Sequence, residues 1–377
     1  MTSDEVRMPN AHSPFDIRNS QLLCCGGLRT DYIITAQGDV RLMEMGGNAL
    51  FAAAGAKVWQ PNIAILGRIG DGYPLGWLDD LRGYGFDTRG IRSVPGPQDH
   101  RTFYAYIDAD TRVDTNPAQH FARVGAALPD ALKDYVHSTL GQDDPDHYEP
   151  LAVTPEDLEA FFVAVNTDNG RRTTDDVRVS PITSHQSRVI GLHIAPSSIR
   201  TQRYVPEAAR KFGVQVVSVD PGERAMQPAL KPYIEDMLGH IDIFMPSDQE
   251  VESLFRDEPA EMDAKECAQW FVARGPGIVV LKLGSDGVLV HTRTDGKFWH
   301  VPALPVRVLD VTGAGDAFCG GFMAEFIKHG DPVRAAITGT VSASLAIQDY
   351  GALHILAAPE DEIDHRAALL RSYVAEV

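Results

Sequence analysis

Short apolar runs and longer helix-like segments alternate through the second half of the chain. The runs SRVIGLHIA, VQVVSVD and GIVVLKLG are typical of buried strands. The segments between them, such as RYVPEAARKFG and AKECAQWFVARGP, are typical of helices. Because strands that alternate with helices form parallel sheets covered on both faces, the pattern predicts an α/β fold. It has three layers, α/β/α, around a mainly parallel central sheet.

Acidic residues outnumber basic ones, 52 to 34, and the formal net charge is -18. A nucleic-acid surface needs clustered lysine and arginine, so we expect no nucleic-acid partner. A local site can still oppose the global charge and bind an anion. The length of 377 residues allows two domains or one large domain with additions, and we place a single domain at 20–377.

The N-terminus and the cysteines are typical of a cytoplasmic protein. Residues 1–19 are polar and lack the apolar core of a signal peptide, so we expect a flexible tail there. No apolar run approaches the roughly 18 residues that a membrane-spanning helix needs, so we expect no membrane partner. The four cysteines show no C-x-x-C spacing and are expected to be buried, reduced thiols.

Residues from about 130 to 182 interrupt the alternation with an acidic insertion, rich in Asp, Glu, Thr and Pro. Within it, Thr154 and Pro155 are the N-cap and first position expected of a helix over EDLEAFFVAV. The insertion is either a solvated surface segment or an extra lid or oligomer contact, since long loops in compact domains are often functional.

The stretch DVTGAGDAF, residues 310–318, places a glycine-rich turn between a strand and a helix. It lacks the third glycine of a dinucleotide fingerprint and the lysine of a Walker A loop. Gly313, Ala314 and Gly315 let a ligand approach the backbone, and the helix N-terminus offers free N–H groups and positive potential. The turn therefore predicts an anion hole for a phosphoryl group.

Asp316 follows that turn directly and has two interpretations. As a structural residue, it is a favourable negative charge in the first turn of a helix. As a catalytic residue, it accepts the proton of a hydroxyl group that attacks the phosphoryl group in line. The second interpretation makes the acid and the anion hole complementary parts of one site.

The same stretch carries a resemblance to a known family. DVTGAGDAFCGGF is similar to the C-terminal signature of the ribokinase-like carbohydrate kinases, the PfkB family, with Val311 as a departure. RIGDGYPLGWLDDLRGYGFDTRGI, VSVDPGER and VLKLGSDGVLV resemble further landmarks of that family in the correct order. The resemblance covers about 20–130 and 185–360, implies a ribokinase-like fold, and leaves the acidic insertion unmatched.

The resemblance implies an enzyme that uses ATP and Mg²⁺. It makes Asp316 the catalytic base and Gly313–Gly315 the anion hole. Glu250 would organise magnesium through water, and Ser247 stands where the family has asparagine, offering an oxygen but no amide. Three residues of the G-x-x-G turn and the strand before it would line the nucleotide: Lys282, Gly284 and Gly287.

The family often has a site for a monovalent cation such as K⁺ behind the anion hole. The residues that match its ligands are Asp310, the Thr312 carbonyl, Ala346 and Gly351. Ile355 occupies a position that is often a hydroxyl ligand. The other interpretation of Asp310 is a hydrogen-bonding anchor at the end of a strand.

On the acceptor side, Asp31 resembles the aspartate that grips sugar hydroxyls, and Gly46 and Gly47 resemble the family's Gly-Gly motif. The elements at about 32–45 and 100–125 would form a small β-sheet lid over the sugar. Because such lids often pair between subunits in this family, the resemblance implies a homodimer.

Several residues indicate a substrate unlike ribose. Phe51 stands where the family has asparagine, and Asn48 close by would substitute for it. The Phe51 ring either stacks on a base or a sugar face or belongs to the helix core, and Arg29 would pair with a carboxylate or phosphate. Asp220 and Arg224 are either close to the substrate or paired with each other.

Three functions are compatible with these residues. The first is ATP-dependent transfer of the γ-phosphoryl group to a hydroxymethyl group of a sugar or sugar derivative. The second is the same reaction on a nucleoside, with Phe51 stacked on the base. The third is a non-catalytic sugar- or nucleotide-binding protein that kept the fold. The retained Asp316 and the intact anion hole argue against the third.

Overall fold

A large twisted sheet forms the centre of the computed structural model, which describes residues 20–107, 112–137, 139–169, 188–259 and 262–377. In this part of the chain the sheet has ten strands. All neighbours from β5 to β11 are parallel, and β12, β13 and β14 extend one edge as antiparallel strands. The spatial order is β14 (Ala375–Glu376), β13 (Phe298–Val301), β12 (Val288–Thr292), β11 (Ile278–Lys282), β10 (Ile243–Phe244), β9 (Val216–Val219), β8 (Arg188–Ile194), β1 (Ser20–Cys25), β4 (Ile63–Asp71) and β5 (Asp87–Pro97).

Helices cover both faces of this sheet and confirm the predicted three-layer α/β/α fold. One face carries α1 (Asn48–Lys57), α2 (Gly76–Gly83), α9 (Ala314–His329), α10 (Pro332–Ala346) and α11 (Glu360–Arg371). The other carries α4 (Pro155–Asn169), α5 (Ile199–Lys211), α6 (Lys231–Leu238), α7 (Asp248–Phe255) and α8 (Ala264–Val272).

Alternation along β1 shows how the strands serve both layers. Leu22 and Cys24 belong to the core under α1 and α9, whereas Leu23 and Cys25 belong to the core on the opposite face. Since successive side chains of a strand point to opposite faces, an apolar run without polar positions is what a strand between two helix layers requires. None of the described helices is long and apolar enough to cross a membrane.

A second, small sheet has four strands in the described residues, ordered β3 (Val40–Gly46), β2 (Arg29–Ile34), β6 (Arg101–Tyr106) and β7 (Arg112–Val113). The predicted lid elements at 32–45 and 100–125 thus fall on this sheet and on α3 (Pro117–Arg123), but β2 begins earlier than the predicted element. Both β2–β3 and β6–β7 are antiparallel pairs, and β2 joins β6 in parallel.

The outer face of the small sheet is covered by the chain itself. Tyr32, Ile34, Phe103 and Ala105 point to this face and pack against Phe121, Leu132 and Tyr135. The Tyr135 hydroxyl also accepts the backbone N–H of Phe103 at 3.3 Å. The first part of the acidic insertion is therefore a packed cover over the sheet. The described part of the insertion also contains α4, which begins at Pro155 as predicted. Residues 170–182 of the insertion lie outside the described residues, and so does the predicted tail at 1–19.

This cover bears on the predicted homodimer, because a second subunit cannot pack on a face that is already occupied. Val136 lies on the solvent side of the cover and is 64% exposed. We expect Val136→Asp to sediment like the wild type at every protein concentration in analytical ultracentrifugation. A wild-type dimer that dissociates in this variant would show that subunits do meet at the small sheet.

Candidate active site

The glycine-rich turn lies directly before α9. Gly313 has φ +74°, and a Cβ atom there would lie 2.1 Å from Cγ of Phe51. Only glycine fits both the left-handed backbone and this close approach. The Ala314 N–H donates to the carbonyl of Val311 at 3.2 Å, and the remaining N–H groups of the first turn point out of the helix N-terminus. The backbone groups of Gly313–Asp316 thus have the arrangement that the predicted anion hole requires, and its role stays a prediction.

Asp316 occupies the first turn of α9 and is half-buried. Burial is the main reason that its pKa is raised to about 8, and the nearby carboxylate of Asp220 adds to the effect. Lys282 and Arg112 oppose the rise, whereas Glu250 contributes to it. A carboxyl group whose pKa lies near physiological pH is suited to exchanging a proton there.

Lys282 and Asp220 form a buried ion pair at the carboxyl ends of β11 and β9. The Cys319 thiol donates to the same carboxylate at 3.6 Å. A Cβ atom on Gly315 would lie 3.3 Å from Lys282 Nζ, so the ammonium group lies against the anion hole. Asp220 is therefore paired with Lys282, and its predicted pairing with Arg224 is wrong because Arg224 instead donates to Thr139 Oγ1 at 3.0 Å.

Ser247 and Glu250 form a capping box at the start of α7. The Ser247 N–H donates to Glu250 Oε2 at 2.7 Å, and the Glu250 N–H donates to Ser247 Oγ at 3.3 Å. Burial and the Asp220 carboxylate raise the pKa of Glu250. The Lys282 ammonium partly offsets this rise. Both residues predicted to act on magnesium thus also hold the helix end in place.

The carboxyl groups at this corner have the chemistry that Mg²⁺ prefers. Asp220 Oδ1 is buried and has no hydrogen-bond partner, and the carboxylate of Glu250 is near it. Hard carboxylate oxygens and ordered waters are what Mg²⁺ prefers, so these residues fit an ion held through water. Within the described ranges, no three His, Cys, Asp or Glu side chains converge to coordinate a metal directly.

A largely apolar cavity of about 540 Å³ opens beside the anion hole. Lys282, Gly284 and Gly287 line it, together with Ala314 and Gly315 from the anion hole. A Cβ atom on Gly287, where φ is +89°, would lie 2.1 Å from the Val301 carbonyl oxygen, so the turn between β11 and β12 requires glycine. The remaining wall comes from residues of the 303–308 loop and α10, among them Leu304, Val306, Ala343 and Ile347.

Asp31 marks the acceptor end of the site, on the inner face of the small sheet. It is buried, and burial together with the Asp310 carboxylate raises its pKa to about 7. A Cβ atom on Gly46 would lie 1.8 Å from Asp31 Oδ2, and one on Gly47 would lie 2.4 Å from the Gly27 carbonyl oxygen. The Gly-Gly motif therefore makes room for the Asp31 carboxylate and for the entry into α1.

Phe51 and Asn48 do not have the free side chains that were predicted for the acceptor pocket. Phe51 is 2% exposed and packs beneath Gly313, which supports the helix-core interpretation and leaves its ring no free face for stacking. Asn48 accepts the Gly27 N–H at 2.7 Å and donates to the Pro196 carbonyl. Its amide thus joins two loops at strand ends, so these hydrogen-bonding groups already have protein partners.

Arg29 lies near Asp31, and its role toward an acceptor stays a prediction. Its Nη1 donates to the Asp99 carbonyl at 3.0 Å. The guanidinium opposes the rise in pKa that burial causes at both Asp31 and Glu149, so it lies near both acids. Among the described residues, Arg29 forms no ion pair with a carboxylate.

Asp310 is a hydrogen-bonding anchor in this structure. It accepts the Tyr106 hydroxyl and the Thr312 N–H, the latter at 2.8 Å. The Gly351 carbonyl lies 2.6 Å from Nδ1 of His354, and Ala346 is the last residue of α10. Two of the four predicted K⁺ ligands, Asp310 and the Gly351 carbonyl, therefore already have protein partners, and the K⁺ site stays a prediction.

Two groups at the site were not found in the sequence, Glu149 and Arg112. Glu149 belongs to the insertion, and burial is the main reason that its pKa is raised. The segment that carries it is anchored to the loop after β8, where the Ile199 N–H donates to the Gln142 carbonyl at 2.8 Å. No motif marks Glu149, because only long-range contacts bring the insertion to the acceptor end.

Arg112 comes from β7 and reaches the anion hole from the opposite side. Its Nη1 donates to Thr312 Oγ1 at 3.0 Å, and its guanidinium carbon lies 4.1 Å from the centre of the Tyr104 ring. The only signal in the sequence would have been the pairing of β7 with β6, where Arg112 stands opposite Tyr106.

Comparisons with known proteins agree with this fold. The profile of the pfkB family carbohydrate kinases matches residues 151–358, more than half of the chain. An ATP-dependent ribose-1-phosphate kinase of Halopiger xanaduensis is 28% identical over 331 residues, 86% of this chain and 89% of that protein. The cytidine kinase of Thermococcus kodakarensis is 23% identical over 321 residues, 84% of this chain and 91% of that protein.

A solved structure shows the same fold. A putative ribokinase II of E. coli, in complex with ATP and Mg²⁺, superposes with a TM-score of 0.63 at 19% sequence identity, covering 93% of this chain and 99% of that one. The chain therefore belongs to the pfkB family of carbohydrate kinases, as the resemblance implied. It is a kinase of the sugar and nucleoside class.

Proposed function

We propose that this kinase transfers the γ-phosphoryl group of ATP to a hydroxymethyl group of a ribosyl compound. The observation that carries the proposal is the position of Asp316. It lies in the same turn as Ala314 and Gly315, which line the cavity assigned to ATP. Burial raises the pKa of Tyr104, and the carboxylates of Asp31 and Asp316 add to the rise, so both carboxyl groups lie near this side chain.

In the proposed reaction, Asp31 accepts hydrogen bonds from acceptor hydroxyl groups and orients the reacting one. Ionised Asp316 accepts the proton of that hydroxyl as its oxygen bonds to the γ-phosphorus. The N–H groups at the start of α9 and the Lys282 ammonium stabilise the negative charge of the phosphate oxygens. When bound, Mg²⁺ would neutralise charge on the ATP phosphates, held through water by Asp220 and Glu250.

Ribose is the common part of the substrates named for the two relatives, ribose-1-phosphate and cytidine. The substituent at the first carbon is what differs. A phosphate there would suit Arg29, which is half-buried and without a carboxylate partner in the described ranges. We therefore propose a phosphorylated ribose as the acceptor. A nucleoside is the second candidate, because the Glu149 carboxylate near Arg29 could accept hydrogen bonds from a base.

Release of ADP from Mg²⁺-ATP, measured with ribose-1-phosphate, ribose, cytidine and inosine, tests the proposal. We expect turnover with at least one ribosyl compound and the highest kcat/KM with ribose-1-phosphate. Highest turnover with a nucleoside would favour the second candidate. Binding of these compounds without any turnover would instead support a non-catalytic binding protein.

Two variants separate the acceptor candidates. Since a hydrogen bond to a charged group contributes roughly 1.5–3 kcal/mol, Arg29→Ala is expected to raise KM for ribose-1-phosphate about 10- to 100-fold, with kcat little changed. Glu149→Gln should leave that KM within a few-fold. The matched controls are Arg256→Ala and Asp146→Asn, both exposed and away from the pocket. An unchanged KM in Arg29→Ala, with a raised KM for cytidine in Glu149→Gln, would overturn the choice of a phosphorylated acceptor.

A further inference from the structure

Arg112 is held beside the glycine-rich turn by neutral groups of Thr312, Tyr104 and Tyr106. Thr312 Oγ1, one residue before Gly313, accepts from its Nη1 at 3.0 Å. The Tyr104 ring lies beneath the guanidinium, 4.1 Å from the guanidinium carbon to the ring centre. A guanidinium has five N–H donors in one plane, so these contacts fix its orientation and leave most donors free.

The charge of Arg112 is not neutralised by an ion pair with any carboxylate of the described residues. Its charge nevertheless opposes the rise in pKa that burial causes at both Asp316 and Asp31, so it lies near both carboxyl groups. Arg112 is an exposed residue. Lys282, by contrast, already has Asp220 as its partner. Arg112 is therefore a cation beside the glycine-rich turn that forms no ion pair in the described residues, although the Asp310 carboxylate lies near enough to favour its charged form.

We propose that Arg112 is a catalytic residue that binds the γ-phosphoryl group during transfer and stabilises its developing negative charge. The inference rests on the proposed function. In the step, a bond forms between the acceptor oxygen and the γ-phosphorus, and the bond from that phosphorus to the bridging oxygen of ADP breaks. The hydroxyl proton passes to Asp316, and the electron pair of the broken bond leaves with ADP. Arg112 remains protonated and donates hydrogen bonds to the phosphoryl oxygens.

Arg112 and the backbone anion hole belong to different elements of the fold. The N–H groups approach the phosphoryl group from α9, whereas Arg112 approaches from β7 of the small sheet. Contacts from two independent elements would enclose the transferring group, which is the geometry expected where charge is spread over three equatorial oxygens. The small sheet would then contribute to the chemical step as well as to acceptor binding.

The experiment compares Arg112→Ala and Arg112→Lys with the wild type. Arg123→Ala is the matched control, because Arg123 belongs to α3 beside the same sheet and donates to the Tyr106 carbonyl at 2.8 Å. We measure kcat, the Kd of ADP, and the Kd of ADP with aluminium fluoride and acceptor, which mimics the transferring group. Loss of one such charge-stabilising donor is expected to lower kcat of Arg112→Ala about 10²- to 10³-fold.

The two affinities distinguish a catalytic role from a structural one. Arg112→Ala should weaken the aluminium fluoride complex by a factor similar to its loss of kcat, with the Kd of ADP changed only a few-fold. Added guanidinium ion should restore part of the kcat of Arg112→Ala, and Arg112→Lys should be intermediate.

Several outcomes would overturn the inference. An active wild type with equal kcat in Arg112→Ala would refute the role of Arg112 while leaving the proposed function intact. An equal loss of ADP and aluminium fluoride binding, without rescue by guanidinium, would make Arg112 a structural residue. A wild type without turnover on any ribosyl compound would reject the proposed function, and the inference with it.

Discussion

Asp316→Asn is expected to lower kcat by about 10²- to 10⁴-fold, the usual contribution of a positioned general base. Asparagine keeps the size of the side chain and the fold of the α9 N-terminus, but its amide cannot take the acceptor proton. The KM for ATP should stay within a few-fold, because the backbone anion hole and the 540 Å³ cavity are unchanged. The measurement is initial-rate ADP release at saturating ATP and acceptor.

Glu252→Gln is the control for this variant, since Glu252 is an exposed carboxylate on α7. It should retain wild-type kcat. If Asp316→Asn were equally active, Asp316 would be only a favourable charge at the helix N-terminus, and another group would have to accept the proton.

The raised pKa of Asp316 also predicts how activity varies with pH. The base must be ionised to accept a proton, so kcat/KM should rise with pH and level off above about 8, the pKa of this carboxyl group in the free enzyme. The main cause is burial, which disfavours the charged form. A profile that is flat between pH 6 and 9 would contradict this assignment.

The same shift has a consequence for stability. Between its ordinary value of 3.8 and about 8, Asp316 holds its proton more tightly in the folded state than in the unfolded one. Its contribution to the free energy of unfolding therefore falls as pH rises through this range. Asparagine has no such dependence. The melting temperature of Asp316→Asn, taken relative to that of the wild type, should therefore be higher at pH 8.5 than at pH 5.

Lys282→Met is expected to have the second large effect, on stability and on ATP binding together. It leaves Asp220 buried without its partner, next to Asp316 and Glu250. Removing one member of a buried ion pair typically costs about 3–5 kcal/mol in the free energy of unfolding. The anion hole also loses the ammonium beside Gly315. Urea denaturation measures the first effect, and titration with ATP measures the second.

The double variant Asp220→Asn, Lys282→Met is the control that separates the two effects. It removes both charges, so most of the lost stability should return while ATP binding stays weak. If Lys282→Met alone were as stable as the wild type, the ion pair would not be buried in solution as it is in the structure. If ATP binding returned with stability, Lys282 would act only by neutralising Asp220.

Much of the site could be predicted because it depends on short segments. The 310–318 stretch contains the turn, the first turn of α9 and the acid within nine consecutive positions. The helix at Pro155 and the Gly-Gly turn before α1 were likewise predicted from residues that are neighbours in sequence. Backbone conformation at such places is set by local sterics and capping, so the residue types alone carry the information.

Side chains whose role depends on distant partners were predicted poorly. Phe51 was a candidate for ligand stacking, but the turn at Gly313 lies directly on its ring. Asn48 was a candidate for substrate binding, but its amide is used by the carbonyl of Pro196, 148 positions away. Buried polar groups form hydrogen bonds with the partners that the fold brings near them. The hydrophobic periodicity of the sequence does not predict which partners these are.

The amino-acid order alone was sufficient for the alternation of strands and helices and for the glycine-rich turn with Asp316 behind it, since each is a pattern within one segment. Only the tertiary structure assigned Arg112, which contacts Thr312 across 200 positions of chain. It also placed Glu149 near Arg29 and covered the outer face of the small sheet with the insertion. Sheet pairing and the packing of loops at strand ends decide these contacts, because both depend on long-range burial that no short segment can specify.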